Sequence, residues 1–292
     1  MYLHFIVNPI SGKADHTITK DFLQEYFPEG EHTIVVEYSE YKKHSTVLTQ
    51  GALQNNPDCI VACGGDGTIN EVASCLVGTK VTLGIVPVGS GNGLAANLGI
   101  PLNIDAALKL LQAGKQQQID VGHVSGHYFF SNMGLGIDAL IIKNYEEAKR
   151  RTLSAYVKAS IKSALSYKLP HAIISVQDKV LTVNPFILFI SNSNQMGYGM
   201  SLTPNASLLD GKLDVLIVPK INFLKKLYFG LLVFIKETER FKQSTTYLAE
   251  NVIIELPYNI FTDVQIDGEY HFLKTNVVTV SVLPKSLTVI IG

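Results

Sequence analysis

The sequence predicts an α/β amino-terminal domain on a mostly parallel sheet, followed by a β-rich, sandwich-like second domain. Three observations predict this. From residue 1 to about 115, apolar strand-like runs alternate with helical patterns, the order that builds a parallel sheet covered on both faces. From about 117 onward short strand-like runs dominate, as in an antiparallel sandwich. With 47 % hydrophobic and 17 % charged residues among 292, the chain can fill one large domain or two medium ones.

Taken in order, strands are expected near 2–7, 33–38, 58–62 and 82–87, and helices near 16–26, 43–54, 69–77 and 103–113. Beyond them, strand-like runs fall at 118–124, 127–132, 171–176, 184–191, 213–218, 251–256, 262–266 and 276–283. Helical stretches near 137–168 and 221–240 interrupt these runs. A last strand falls at 286–291. The change of pattern divides the chain into 1–116 and 117–285.

Composition excludes several classes. No apolar run reaches the roughly 18 residues needed to cross a bilayer. No basic segment followed by an apolar core and a cleavage site opens the chain, so no secretory signal is expected. Cys59, Cys63 and Cys75 are too few and wrongly spaced for a disulfide framework, and Cys59-x-x-x-Cys63 lacks a second ligand pair for zinc. A reduced cytoplasm is the expected home. The net charge of −1 hides an asymmetry. Residues 143–168 hold seven Lys/Arg against two Glu, and 220–242 hold six against two. These stretches can present a basic face to an anionic membrane. On the second, Lys225, Lys226 and Lys236 are expected beside the apolar face of a helix, although packing against the sheet is the commoner reason for such apolarity.

The chemistry is concentrated in loops. Gly64-Gly65-Asp66-Gly67-Thr68 lies between a buried strand and a helix that begins Ile69-Asn70-Glu71. Such a turn lets backbone N–H groups approach a phosphate at a helix N-terminus. Asp66 there calls for a cation or a lysine between itself and the phosphate. Asn8-Pro9-Ile10-Ser11-Gly12-Lys13 and Gly89-Ser90-Gly91-Asn92-Gly93 follow two further strands. Loops at the carboxyl ends of neighbouring strands converge in open α/β sheets, so the three suggest one polyphosphate site. The first is not a Walker loop, because Val7 and Ala14 stand where that motif needs Gly and Ser/Thr. The last is not a dinucleotide fingerprint, because no acid closes a second strand about 20 residues on. Asp210-Gly211 and Asp267-Gly268-Glu269 read as hairpin turns, but Glu269 lies past its turn, where a hairpin needs no second acid. His123 and His127, around Ser125-Gly126, are expected to be structural.

Asn8-Pro9 with Ser11-Gly12-Lys13, Gly64 to Thr68 with Asn70-Glu71, Gly89-Ser90-Gly91-Asn92, Leu209-Asp210-Gly211 and Asp267-Gly268-Glu269 occur in the order found in the diacylglycerol kinase catalytic-domain family. On these motifs the chain resembles that family's bacterial soluble lipid kinases, which are related to sphingosine kinases. The resemblance implies an NAD kinase/phosphofructokinase-like, nucleotide-binding first domain over 1–116, to which the C-terminal strand 286–292 returns as it does in that family, and a sandwich-like second domain over 117–285 that accepts the lipid. It implies ATP on Asn8, Ser39, Gly64, Gly65, Asp66, Gly67, Thr68, Asn70, Glu71, Gly89, Ser90 and Asn92. It also implies Glu269 as general base, helped by Asp66 and Lys13, and a structural Mg²⁺ on Asp210 with the carbonyls of Ser207 and Lys212. The family usually has Asp after the Asn; here Gly93 follows Asn92, as a small residue does in the sphingosine kinase-like members. The expected activity is ATP- and Mg²⁺-dependent phosphorylation of a lipid hydroxyl in an interdomain cleft, as part of phospholipid metabolism. The expected partners are ATP, a lipid and an anionic membrane met peripherally, with no nucleic acid and a homodimer left open. The acceptor can be diacylglycerol, a sphingoid base or phosphatidylglycerol. A kinase of a soluble hydroxylated substrate, related to NAD kinases, and a non-catalytic nucleotide-binding regulator are the alternatives.

Overall fold

The computed structural model describes residues 1–12, 18–89, 92–147, 152–167, 170–196 and 199–292. Two compact units result: Met1–Val121 with Pro284–Gly292, and Gly122–Leu283.

The first unit alternates strand and helix: β1 (Tyr2–Val7), α1 (Lys20–Gln24), β2 (Thr33–Tyr38), α2 (His44–Leu53), β3 (Cys59–Gly64), α3 (Asp66–Leu76), β4 (Thr82–Pro87), α4 (Gly93–Asn97), α5 (Ile104–Ala113) and β5 (Gln116–Val124). β2, β1, β3 and β4 pair in that order, all parallel, with Tyr2 opposite Thr33, Leu3 opposite Cys59 and Cys59 opposite Thr82. Every residue of β3 and β4 is buried. That explains their almost wholly apolar sequences, Thr82 being the one polar side chain, since a parallel sheet is covered on both faces.

The second unit contains β6 (His127–Phe129), β7 (Asn132–Gly136), α6 (Ile137–Glu146), α7 (Leu153–Ser166), β8 (Ala172–Val176), β9 (Lys179–Val183), β10 (Ile187–Ser191), β11 (Leu213–Val218), α8 (Phe223–Phe234), β12 (Thr245–Ala249), β13 (Asn251–Glu255), β14 (Thr262–Ile266), β15 (Glu269–Leu273) and β16 (Val277–Ile290). One antiparallel sheet runs β12-β11-β10-β7-β14-β15. In the other, the first half of β16 pairs with β13, then β8, then β9. Leu188, Ile190 and Val215 of the first sheet are buried with Ile174, Val252 and Val280 of the second, and this forms the sandwich core. The alternate residues Phe189, Leu216 and Val218 face a separate cluster with Ile137, Phe229 and Leu232, so helices cover the outer face of the six-stranded sheet. The expected two-part architecture is thus present.

The structure corrects the expected elements in four places. The helix expected over 137–168 is two helices, α6 and α7. The expected runs at 276–283 and 286–291 form a single strand, β16, which continues through Pro284; Lys285 takes φ +50° there, and its N–H donates to Asp120 Oδ1 at 2.8 Å. The strands β9, β12 and β15 and the short helix α4 were not expected. Lys226 does not stand free beside an apolar face: its Nζ donates to the Ala164 carbonyl at 2.7 Å and lies 4.6 Å from the Phe186 ring centroid. No helix among the described residues is long and apolar enough to cross a membrane.

Candidate active site

The loops after β1, β3 and β4 lock together within the first unit. Asn8 Nδ2 donates to Thr68 Oγ1 at 3.1 Å, and Val88 N donates to the Gly64 carbonyl at 3.0 Å. Asp66 bridges two loops: its Oδ2 accepts from Asn92 N at 2.8 Å and its Oδ1 from Gly93 N at 2.7 Å. Asn92 in turn donates from Nδ2 to the Gly89 carbonyl at 2.6 Å. The glycines permit this closeness. A Cβ on Gly89 would lie 2.3 Å from Gly65 Cα, and one on Gly12, at φ +69°, would lie 2.0 Å from the Val88 carbonyl oxygen.

α3 begins at Asp66 with Gly65 as its N-cap, so the N–H groups of Gly67 and Thr68 belong to the first turn and have no acceptor within the helix. The helix dipole adds positive potential at that point. Burial pushes the Asp66 carboxyl up, and the amides of Gly93 and Asn92 pull it back. Asn92 adopts a left-handed φ of 55° and is buried, and its Oδ1 has no hydrogen-bond partner. A buried acceptor left open is costly unless a ligand or water donates to it.

Ser39 follows β2 at the same end of the sheet, is buried, and donates its N–H to the Val7 carbonyl at 2.8 Å. Asn70 and Glu71 sit one turn into α3. Glu71 Oε1 accepts from Lys43 N at 3.1 Å and fixes the left-handed residue that starts α2, while Asn70 Oδ1 accepts from Ser74 Oγ at 3.2 Å. These two contacts brace the helices behind the loop. Lys13, Ser90 and Gly91 lie outside the described residues.

In the second unit, Asp267 and Gly268 have φ of 45° and 82° and turn β14 into β15. The Asp267 carboxylate accepts from Phe130 N at 2.8 Å, Ser131 N at 2.8 Å and Asn132 N at 3.0 Å. Glu269, the first residue of β15 and opposite Ile266, is half-buried. Its carboxylate makes no hydrogen bond or ion pair with any described residue. The turn is therefore held by one acid and presents the other uncommitted.

Sequence reasoning missed Asp138 and Gln265. Asp138 lies in the first turn of α6, and burial pushes its carboxyl up to about 6 against an opposing hydrogen bond from Gln265. Its Oδ2 has no partner, and a Cβ on Gly134 would lie 2.0 Å from that oxygen. Gln265 also donates from Nε2 to Asn132 Oδ1 at 2.8 Å and accepts from Gly268 N at 2.9 Å. It thereby ties the Asp267 turn to Asp138. The signal was present in Gly134-Leu135-Gly136-Ile137-Asp138, glycines and an acid at a strand-to-helix junction, as in Gly64 to Asp66.

The residues expected to hold Mg²⁺ lie in the turn before β11. Asp210 Oδ1 accepts from Lys212 N at 3.0 Å, and Ser207 Oγ accepts from Leu209 N at 3.2 Å. Lys212 Nζ is drawn away to Glu250 at 2.6 Å. The buried Asp214 carboxyl is pushed up to about 6, first by burial and then by the charge of Asp210. Two carboxylates close enough for the charge of one to raise the proton affinity of the other have the donor chemistry of a magnesium ion, which needs only one or two carboxylates and keeps several waters. Among the described residues no cluster of three or more His, Cys, Asp or Glu forms a metal-holding group.

Comparison with known proteins identifies the two halves of the chain. The diacylglycerol kinase catalytic domain family matches residues 2–124, and the YegS C-terminal NAD kinase beta sandwich-like domain family matches residues 131–291. The "Diacylglycerol kinase" of Bacillus subtilis (strain 168) is 30 % identical over 224 residues, covering 74 % of this chain and 73 % of that protein. The "Probable lipid kinase YegS-like" proteins of Klebsiella pneumoniae (strain 342) and Pectobacterium atrosepticum are 34 % and 29 % identical, over 57 % and 64 % of this chain. The chain spans 58 % and 64 % of the length of these two relatives. A crystal structure of a diacylglycerol kinase from Bacillus anthracis str. Sterne shares the fold, with a TM-score of 0.73 at 20 % identity over 100 % of this chain and 97 % of that one. The fold and both matched regions define a two-part kinase-type α/β and β-sandwich protein. The chain belongs to the diacylglycerol kinase catalytic-domain family, in the branch whose second half is the YegS-type sandwich.

Proposed function

We propose that the protein is an ATP-dependent lipid kinase. The first unit holds the nucleotide, and the second supplies the base and accepts the lipid. The observation that carries this reading is the locking of three loops over the N-terminus of α3, with Asp66 joined to Asn92 and Gly93. A cradle of backbone N–H groups at a helix N-terminus suits the polyphosphate of ATP. The open Asn92 Oδ1 suits a donor on the nucleotide or its water.

A lipid hydroxyl has a pKa far above 7, so its attack needs a proton acceptor. Glu269 takes that proton as the hydroxyl oxygen bonds to the γ-phosphorus and the bridging P–O bond to ADP breaks. Oriented donors at the glycine loop, with Lys13, stabilise the charge that develops on the transferred group. Asp210, with the carbonyls of Ser207 and Lys212, would hold Mg²⁺. When bound, that ion supplies charge compensation to the Asp210–Asp214 pair and rigidity to the turn before β11. The basic stretches 143–168 and 220–242 support a peripheral encounter with an anionic membrane.

Labelled ATP incubated with the protein and a total bacterial lipid extract should yield a phosphorylated lipid, identified by mass spectrometry. Transfer onto NAD with no lipid product, or nucleotide binding with no transfer to any acceptor, would overturn the reading.

A further inference from the structure

α8 is apolar on two opposite faces. One face packs: Phe229 and Leu232 are buried against Phe189, Leu216 and Val218 of the six-stranded sheet. The other is bare. Leu224, Leu227, Tyr228, Leu231 and Phe234, at helical spacing, are each between 45 % and 74 % exposed. A helix on the surface of a globular protein ordinarily turns charge to water on that face.

The surroundings indicate what covers it. Neither α8 nor the neighbouring α7 contains an Asp or a Glu. α7, joined to α8 by the Lys226–Ala164 hydrogen bond, exposes Ile161 and Leu165 and carries Lys158 and Lys162. Lys225 lies on α8, and Lys220 and Lys236 flank its ends. Beyond the end of α8 come Glu237 and Glu239, and Glu237 is paired with Arg240 at 2.8 Å. An apolar helix face that itself carries lysines and no acid, within a stretch of net positive charge, complements an anionic lipid surface. A second copy packed about a two-fold axis would instead bring these uncompensated lysines against their own kind.

We propose that the exposed face of α8 inserts into the headgroup–acyl boundary of an anionic bilayer. The apolar side chains supply the main attachment and the lysines the approach. The choice of a lipid partner rests on the lipid-kinase reading above.

The chain contains no tryptophan, so one introduced indole reports a single place. With vesicles of phosphatidylglycerol and phosphatidylcholine, a Leu227→Trp variant should show a blue-shifted emission that brominated acyl chains quench. A Val47→Trp variant, at an exposed position of α2, should show neither effect. The Leu224→Ser/Leu227→Ser/Leu231→Ser variant should partition about 100-fold more weakly, because binding scales with buried apolar area. Its melting and its transfer onto a short-chain dispersed lipid should stay as in wild type. Wild-type binding should persist in part at high salt, where a purely electrostatic contact would vanish. Unchanged Leu227→Trp emission, or a triple variant that partitions like wild type, overturns the proposal. A wild-type dimer that the triple variant converts to monomer also overturns it and makes the face an interface between copies. Insertion without phosphoryl transfer to any lipid leaves this proposal standing and removes the kinase reading; transfer without insertion does the reverse.

Discussion

Asp66 in the first unit and Asp267 in the second do the same physical work in different company. Each carboxylate accepts from backbone N–H groups, two for Asp66 and three for Asp267, and so fixes a glycine-bearing turn. On the proposed reading, the groups beside Asp66 that meet the nucleotide are themselves backbone: the first turn of α3 and the loops it closes. Beside Asp267 stands a separate acid, Glu269, with no partner among the described residues. The first arrangement merges holding with chemistry, whereas the second separates them. The two should therefore respond to substitution in different ways.

The largest effect is expected at Glu269. Glu269→Gln keeps size and hydrogen bonding but cannot accept a proton near neutrality, so kcat should fall about 10²–10⁴-fold. ATP affinity should hold, and stability should stay within about 0.5 kcal/mol, as for a side chain without partners. Turnover preserved with ATP binding lost would show that Glu269 does something other than take the proton.

At Asp66 the two losses should come together. Asp66→Ala removes two charge-assisted hydrogen bonds between loops, and should lower unfolding free energy by about 1–3 kcal/mol while abolishing transfer. Denaturant titration and a transfer assay on the same preparation check this. An inactive variant with an unchanged melting transition would mean the loops are held by the glycine contacts alone, and the contrast with Asp267 would dissolve.

The smallest effect is a matter of pH. The Asp138 carboxyl titrates at about 6 in the folded chain against an ordinary 3.8, so the folded state binds the proton more tightly. Its contribution to stability is complete below 3.8 and is lost as pH rises through about 6. Asp138→Asn keeps an acceptor for Gln265 and removes the buried charge. It should be more stable than wild type by about 1–3 kcal/mol at pH 7.5, and the difference should close by pH 4. Urea denaturation at the two pH values measures it. A constant difference across that range would place the effect in packing against Gly134 instead.

Much of the first unit was legible because its strands are buried on both faces, so Cys59–Gly64 and Thr82–Pro87 read as almost wholly apolar runs ending in glycine loops. The helix α4 was hidden by its glycine start and its five-residue length. In the second unit, β15 was missed because Glu-Tyr-His-Phe-Leu is half solvated and mixes charge with aromatics, and β12 lies at the edge of its sheet. The runs 276–283 and 286–291 were expected as two strands; between them Pro284, which gives no N–H to a ladder, and the left-handed Lys285 sit where one strand changes partners. The candidate residues of the loops were readable as motifs. What motifs could not show is direction: that Glu71 reaches back to Lys43, that Asp66 faces Asn92 and Gly93, and that Lys226 folds onto Ala164.

The change of partners within β16 bears on the order of events during synthesis. Val289 pairs with Leu83 of β4, Gly78 donates to the Ser286 carbonyl, and Gly292 donates to the Leu98 carbonyl. The first unit is thus assembled from sequence made before the sandwich and from sequence made after it. Until about residue 289 has emerged, β4 waits with an unpaired and mostly apolar edge, the kind of surface on which nascent chains associate. A ribosome stalled after Leu283 would hold the whole sequence of the sandwich and an amino-terminal sheet still missing a strand.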